Sequence, residues 1–326
     1  MATKVIIDTD PGIDDSVALG LALNSPELEI LAVTTVFGNT TVENSFQNAC
    51  HVLQKFGSGD IPVYAGATQP LLRELVVADE THGPTGTGYL KLPKEFKPPS
   101  IQASLAILEI LKKAADPVTI IALGPLTNLA LALSLERELF TKKIKEIVLM
   151  GGSAGAPGNT TPVSEFNFWA DPEAAKAILH SSVPIRMVGL DVTRPIVFHN
   201  SVVQKLAASS YERAAFLGEL MRFYVDFHRE YENLDGCIVN DPLAVAVTIN
   251  PDWGGGQNMY VDVCTTDGLT RGQTICDRFG FLKKEPNVYV YLTVDAVGVM
   301  EFTMKRTVGS VITRSDLERG LQLTSA

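Results

Sequence analysis

Four aspartates fall within eight positions near the N-terminus: Asp8, Asp10, Asp14 and Asp15, in VIIDTDPGIDDSVAL (5–19). A carboxylate can serve as a base, a nucleophile or a cation ligand. Placed side by side, carboxylates repel: two of them about 5 Å apart cost several kcal/mol at an effective dielectric of about 20. A shared proton offsets this by raising one pKa. A hard divalent cation offsets it better, because calcium takes many oxygen ligands and accepts both carboxylates and main-chain carbonyls. The stretch holds no cysteine or histidine, which argues against zinc. Asp14 and Asp15 also suit the first turn of a helix, where an acid contributes about 0.3–1 kcal/mol through the dipole. That accounts for one acid more readily than for three converging on one strand end.

The elements that must position these groups are legible as alternation. KVIID (4–8) is β-branched on both faces and predicts a buried strand, followed by a helix in DSVALGLALN. Strands are predicted over 29–39, 61–66, 118–124, 144–152 and 184–193, and helices over 42–56, 104–114, 126–135, 171–181 and 212–234. Strand–helix alternation implies an α/β fold: an open, mostly parallel sheet with helices on both faces. In such sheets ligands sit beyond the carboxyl ends of the strands. The informative loops are therefore DTDPGIDD, FGN, ALGPLTN, the Gly- and Asn-rich run 151–170, and GCIVNDP (236–242). Two long loops, 66–99 with THGPTGTG and 151–170, are candidates for closure over a ligand. In the last third, NMYVDVCTT, TRGQTICD and NVYVYLTVD read as short strands of a small antiparallel region. No linker, repeat or low-complexity tract divides the chain, so 1–326 is expected to be one domain.

Bulk properties exclude other classes. The net charge of the 326 residues is −10, so a nucleic-acid partner would be repelled on average. No apolar run reaches the roughly 18 residues of a membrane span, and the N-terminus has no signal-peptide pattern. Four scattered cysteines form no CxxC pair and suggest a reducing compartment, so a cytoplasmic protein is expected.

Four motifs in order carry a resemblance: DTDPGIDD (8–15), GPLTN (124–128), EFNFWADPEAA (165–175) and NDPLAV (240–245). The chain resembles the calcium-dependent nucleoside hydrolases, the inosine-uridine-preferring ribohydrolase family, from residue 5 to at least residue 280. Asp8-Thr9-Asp10 also resembles the DxD of aspartyl-phosphate phosphatases, but PGIDD departs from the hydroxyl pattern that chemistry expects. The nucleoside hydrolase resemblance implies that Asp10, Asp15, Asp241 and the main-chain carbonyl of Leu123 hold Ca²⁺. It implies that Asp10 holds the attacking water and takes its proton. Asp14 and Asn39 then lie near the ribose hydroxyls and the reacting carbon, and Asn159, Glu165 and Asn167 clamp the ribose.

The implied reaction splits the N-glycosidic bond of a ribonucleoside to ribose and base, through a cationic sugar that a pocket of acids stabilises. The base must be protonated or otherwise stabilised as it leaves. Broad-specificity members carry a His where this chain has Asn240, and an amide cannot be a general acid. His82 becomes the expected base-side group. Tyr224, His228 and Tyr231 on the long helix, with Trp169, are expected around the base. Asn240 leaves two further readings open: a hydrolase of a modified ribosyl compound, or a nucleoside-binding protein that kept the calcium site without turnover. The resemblance also implies a homodimer or homotetramer, with a small-molecule ribonucleoside as the partner.

Overall fold

The structure, a computed structural model, describes residues 2–324. Eleven strands are present: β1 (Thr3–Thr9), β2 (Leu28–Thr35), β3 (Val63–Ala65), β4 (Val118–Ala122), β5 (Ile144–Met150), β6 (Ile185–Val188), β7 (Val197–His199), β8 (Gly236–Ile238), β9 (Gly254–Val263), β10 (Thr274–Asp277) and β11 (Val288–Val294). Nine of them form one sheet in the order β10-β9-β11-β6-β5-β4-β1-β2-β3. The run from β11 to β3 is parallel; β9 joins β11, and β10 joins β9, antiparallel.

The β-branched strands split their side chains between two cores. Val5 and Ile7 of β1 pack with Val17 and Leu21 of the helix Ile13–Leu23. Ile6, between them, joins Ile107, Ile120 and Leu129 on the opposite face. All are fully buried, and each such aliphatic contributes about 1.5–3 kcal/mol. This two-sided burial makes β1 an unbroken apolar run rather than an alternating one.

From β1 the chain runs outward to β2 and β3, then returns to place β4 on the other flank of β1. A topological switch point therefore lies between β1 and β4, where ligands bind in open α/β sheets. The backbone N–H of Leu123, just beyond β4, donates to the Asp8 carbonyl at 2.7 Å, which holds the two strand ends side by side.

Three expectations change. The predicted strand 184–193 ends at Val188, and Leu190–Thr193 is a short helix that starts after Gly189. The three late strands pair antiparallel with one another as expected, but β11 also pairs in parallel with β6, so they extend the main sheet. Periodicity cannot reveal that pairing. Finally, GCIVNDP does not leave the main sheet, because β8 pairs antiparallel with β7 in a separate ribbon. All four cysteines are free, and no helix among the described residues is long and apolar enough to cross a membrane.

Candidate active site

Asp10 follows β1 directly, and Pro11-Gly12 turns the chain into the helix Ile13–Leu23, whose first turn carries Asp14 and Asp15. Asp15 is held on both oxygens. One accepts from the Thr9 hydroxyl and the Asp10 N–H, the other from the Gly12 N–H at 3.0 Å and the Asn39 amide at 2.7 Å. Asp10 Oδ2 accepts from the Asn39 N–H at 2.7 Å, while Oδ1 is sealed and unpartnered. Backbone crowds Asp10 on two sides. A Cβ on Gly38 would lie 1.9 Å from Oδ2, and one on Gly124 2.5 Å from Oδ1, so only glycine fits at either place.

Asp241 arrives from the far side of the sequence, at the start of the helix Pro242–Ile249. Its side chain makes no N-capping bond. Instead, ligand oxygens of Asp14, Asp15 and Asp241 lie within 4.8 Å of one another. Asp10 borders this trio: its charge raises the pKa of Asp241, and the charges of Asp15 and Asp14 raise its own. Burial is the largest cause of a raised pKa at all four acids. No lysine or arginine among the described residues pairs with any of them; the nearest cationic candidate is His82 Nδ1, 4.0 Å from Asp14. Such a group of oxygens, with Asp10 Oδ1 and Asp14 Oδ1 orphaned, fits a hard divalent cation. The Leu123 carbonyl lies beside it and accepts from the Asn167 amide at 2.8 Å, with its second lone pair still available.

Asp8 faces elsewhere. It accepts from Thr34 at 2.6 Å and Asn128 at 2.8 Å, tying β1 to β2 and to the helix after β4. Its burial raises the carboxyl to about 6. The GPLTN motif thus has a structural half: Asn128 also accepts from the Ala67 N–H at 2.8 Å.

A cavity of 630 Å³ opens over the cluster. Asp14, Asn39, Leu123, Asn167, Asn240 and Asp241 contribute to its inner part. Glu165 lines it too, but its carboxylate is taken up by backbone. Oε1 accepts from the Asn167 N–H at 2.8 Å, and Oε2 from Gly152 and Phe168 at 2.9 and 3.1 Å, which caps the short helix Phe166–Ala170. Burial raises Glu165 to about 7 against these bonds. Asn159 accepts from the Phe166 N–H at 2.9 Å and is exposed, with its amide donors turned to no described partner.

The outer part is aromatic. Tyr224, Phe227, His228 and Tyr231 project from the helix Glu212–Glu232, with Trp169 from the short helix Phe166–Ala170. Tyr224 and His228 are buried, whereas Tyr231 is 59% exposed and stacks on Phe227 at the rim. Arg271 covers Trp169 at 4.3 Å and donates to its carbonyl at 3.0 Å. His82 ends the short helix Asp79–His82 and is buried; its Nδ1 accepts the Ile13 N–H at 3.2 Å. Burial lowers its pKa to about 4, against the attraction of Asp15.

Both long loops are tied down in this state. Arg73 bonds Glu173 and Asp267, Asn48 bonds the Thr85 carbonyl at 2.7 Å, and Ser164 bonds the Arg271 carbonyl at 2.5 Å. The cavity also takes in Arg194 and Glu232, an ion pair at 3.9 Å that motif reading did not find. Phe227 was accessible to it, since it shares the face of Tyr224 and Tyr231 at helical spacing.

A carboxylate floor under an aromatic-walled cavity, at the switch point of this sheet, has the make-up of an N-glycosidase, which faces a cationic sugar and a flat leaving base. Residues 5–301 match the family described as inosine-uridine preferring nucleoside hydrolase, and the chain belongs to that family. It is 41% identical over 308 residues to the pyrimidine-specific ribonucleoside hydrolase RihA of Photobacterium profundum, covering 94% of this chain and 99% of that one. Among solved structures it is similar to the plant nucleoside hydrolase PpNRh1, with a TM-score of 0.89 and 34% identity over 94% of this chain and 99% of that one. A purine-preferring ribonucleoside hydrolase from Gardnerella vaginalis gives a TM-score of 0.87 and 30% identity, over 95% and 99% of the two chains.

Proposed function

We propose that this enzyme hydrolyses the N-glycosidic bond of pyrimidine ribonucleosides to ribose and free base, with Ca²⁺ as its resident ion. The observation that carries the reading is the buried aspartate cluster, unpaired by any lysine or arginine among the described residues, on the floor of a cavity walled by aromatics. The pyrimidine preference draws on the resemblance to a pyrimidine-specific relative.

Asp10, Asp15, Asp241 and the Leu123 carbonyl would hold the ion, with Asp14 at its edge. When bound there, calcium neutralises the acids, orients ribose hydroxyls and eases deprotonation of water. Asp10, which borders the acidic cluster, would take the water's proton. Asn39 is fixed by its amide bond to Asp15, which leaves its carbonyl oxygen to accept from a ribose hydroxyl. Asp14 and Asn159 complete the ribose contacts; Glu165 and Asn167 set the inner wall, and their negative and carbonyl groups favour positive charge on the departing sugar. Trp169, Tyr231 and Phe227 shield the base. His82 keeps its ring proton on Nε2, because Nδ1 accepts from Ile13; it serves as a neutral donor to the leaving base rather than as an imidazolium.

We further read residues 1–326 as one domain, acting in the cytoplasm as a homodimer or homotetramer without nucleic acid or membrane. Support comes from one sheet that includes both β1 and β11, and from the family resemblance. Release of reducing sugar from uridine, cytidine, 5-methyluridine, inosine and adenosine, with calcium present, tests the function. Cleavage of the pyrimidine set supports it, and preference for inosine or adenosine overturns the base assignment.

A further inference from the structure

The aromatic wall carries two histidines in opposite tautomers. His82 Nδ1 accepts the Ile13 N–H, so its neutral ring is protonated on Nε2. His228 Nδ1 lies 2.8 Å from the Tyr224 carbonyl, which can only accept, so this ring is protonated on Nδ1 and keeps a lone pair on Nε2. Neither Nε2 has a hydrogen-bond partner among the described residues, and neither is a sealed atom like Asp10 Oδ1. Both residues are 4% exposed and line the cavity. Tyr224 stands between them, its ring centroid 5.1 Å from that of His82 and 4.6 Å from that of His228. The wall therefore offers one donor and one acceptor.

Their charged neighbours differ along the cavity. Tyr224 feels Asp14, Asp241 and Asp15, whereas His228, one turn further on, feels Glu232 and Arg194. His82 stands at the acidic end of the cavity, its Nδ1 4.0 Å from Asp14, and His228 stands beside the Arg194–Glu232 pair, away from the aspartates.

On the reading of the enzyme as a ribonucleoside hydrolase, we propose that His228 is a specificity-determining residue. Its Nε2 accepts a hydrogen bond from a ring N–H flanked by carbonyls, the lactam edge of a uracil-type base, while His82 donates to the adjacent carbonyl oxygen. The pairing suits the missing acid at Asn240. A lactam base can leave as an anion with its charge spread onto the carbonyl that His82 contacts. A base that must be protonated on a ring nitrogen finds no acid in either histidine. Burial is the largest influence on the His228 pKa and lowers it, with Arg194 acting in the same direction and the Tyr224 carbonyl and Glu232 opposing, which favours the neutral ring.

The test compares uridine with 3-methyluridine, in which a methyl group replaces the N–H and both carbonyls remain. In the calcium-loaded wild type, kcat/KM for uridine should exceed that for 3-methyluridine by about 100-fold or more, as expected when a buried acceptor loses its donor. His228→Ala should lower the uridine value by ~10–100-fold, and His228→Gln, which restores an acceptor, should recover most of it. A purely steric role predicts the opposite: 3-methyluridine gains in His228→Ala while uridine is unchanged, and that result overturns the proposal. Imidazole ¹⁵N spectra of the wild type give an independent readout, since a proton on Nε2 of His228 also overturns it. If no nucleoside is cleaved, the hydrolase reading falls. Calorimetric titration of uridine against 3-methyluridine then decides the contact by itself: equal affinities overturn it, and a uridine preference lost in His228→Ala supports it.

Discussion

The side-chain amide of Asn240 donates to Asp14 Oδ2 at 3.2 Å, and the Asn240 main-chain N–H approaches the same oxygen at 3.4 Å. Of the influences that lower the Asp14 pKa, the side-chain bond is the largest. A position that could have carried an acid instead steadies a carboxylate. Asn240→Ala should lower kcat/KM about tenfold, the scale of one hydrogen bond to a charged group, with little change in melting temperature. Steady-state kinetics beside a thermal melt checks this; unaltered kinetics would mean Asp14 needs no such support.

Asp10→Asn keeps the shape of the site and removes the base. A drop in kcat of about 10²–10⁴-fold is expected. The affinity for ribose, measured by calorimetry, should change far less. Equal losses in both would mark Asp10 as a binding group only.

Asp8 predicts a stability effect outside the chemistry. Its carboxyl titrates at about 6 in the fold against 3.8 in the unfolded chain, because burial outweighs the bonds from Thr34 and Asn128. The native state therefore holds the proton more tightly. Its stabilisation is complete below the unfolded value and is lost as pH rises through the folded one, a change of about 3 kcal/mol. Asp8→Asn mimics the protonated form and gives the orphaned Oδ2 site an amide. It should flatten stability between about pH 4 and about pH 6 and raise the melting temperature at neutral pH. Calorimetric melts across that window provide the check, and a lower melting temperature at neutral pH would refute it.

Glu165→Gln turns an acceptor into a donor against three backbone N–H groups. One of them loses its partner, at a cost of about 1–3 kcal/mol. Chemical denaturation should show the loss, whereas a purely ribose-binding role for Glu165 would leave stability intact and raise KM alone.

Much of this was legible in the chain itself. DTDPGIDD announced both a strand end and a charge problem, and the structure gathers Asp14 and Asp15 with Asp241. The alternation of apolar strands and helices sufficed for the parallel sheet, because strands buried on both faces cannot alternate. What stayed hidden was long-range pairing. Nothing in NVYVYLTVD says that it docks beside β6, and nothing local says that Asp241 reaches the cluster from a separate ribbon. The tautomers of His82 and His228 depend on an N–H at Ile13 and a carbonyl at Tyr224, contacts that residue types do not announce. That Glu165 also accepts three backbone N–H bonds was hidden, because motifs give a residue's presence, not which of its oxygens the backbone has already engaged.

The central claim is that the aspartates of the first turn and Asp241 hold a divalent ion on which hydrolysis depends. Ribose release from uridine, followed before chelation, after chelation and after calcium is returned, tests it most directly. The account predicts that activity disappears with the ion and comes back with it, and that Asp241→Asn needs far more calcium for the same rate. Undiminished ribose release from the fully chelated enzyme would contradict it.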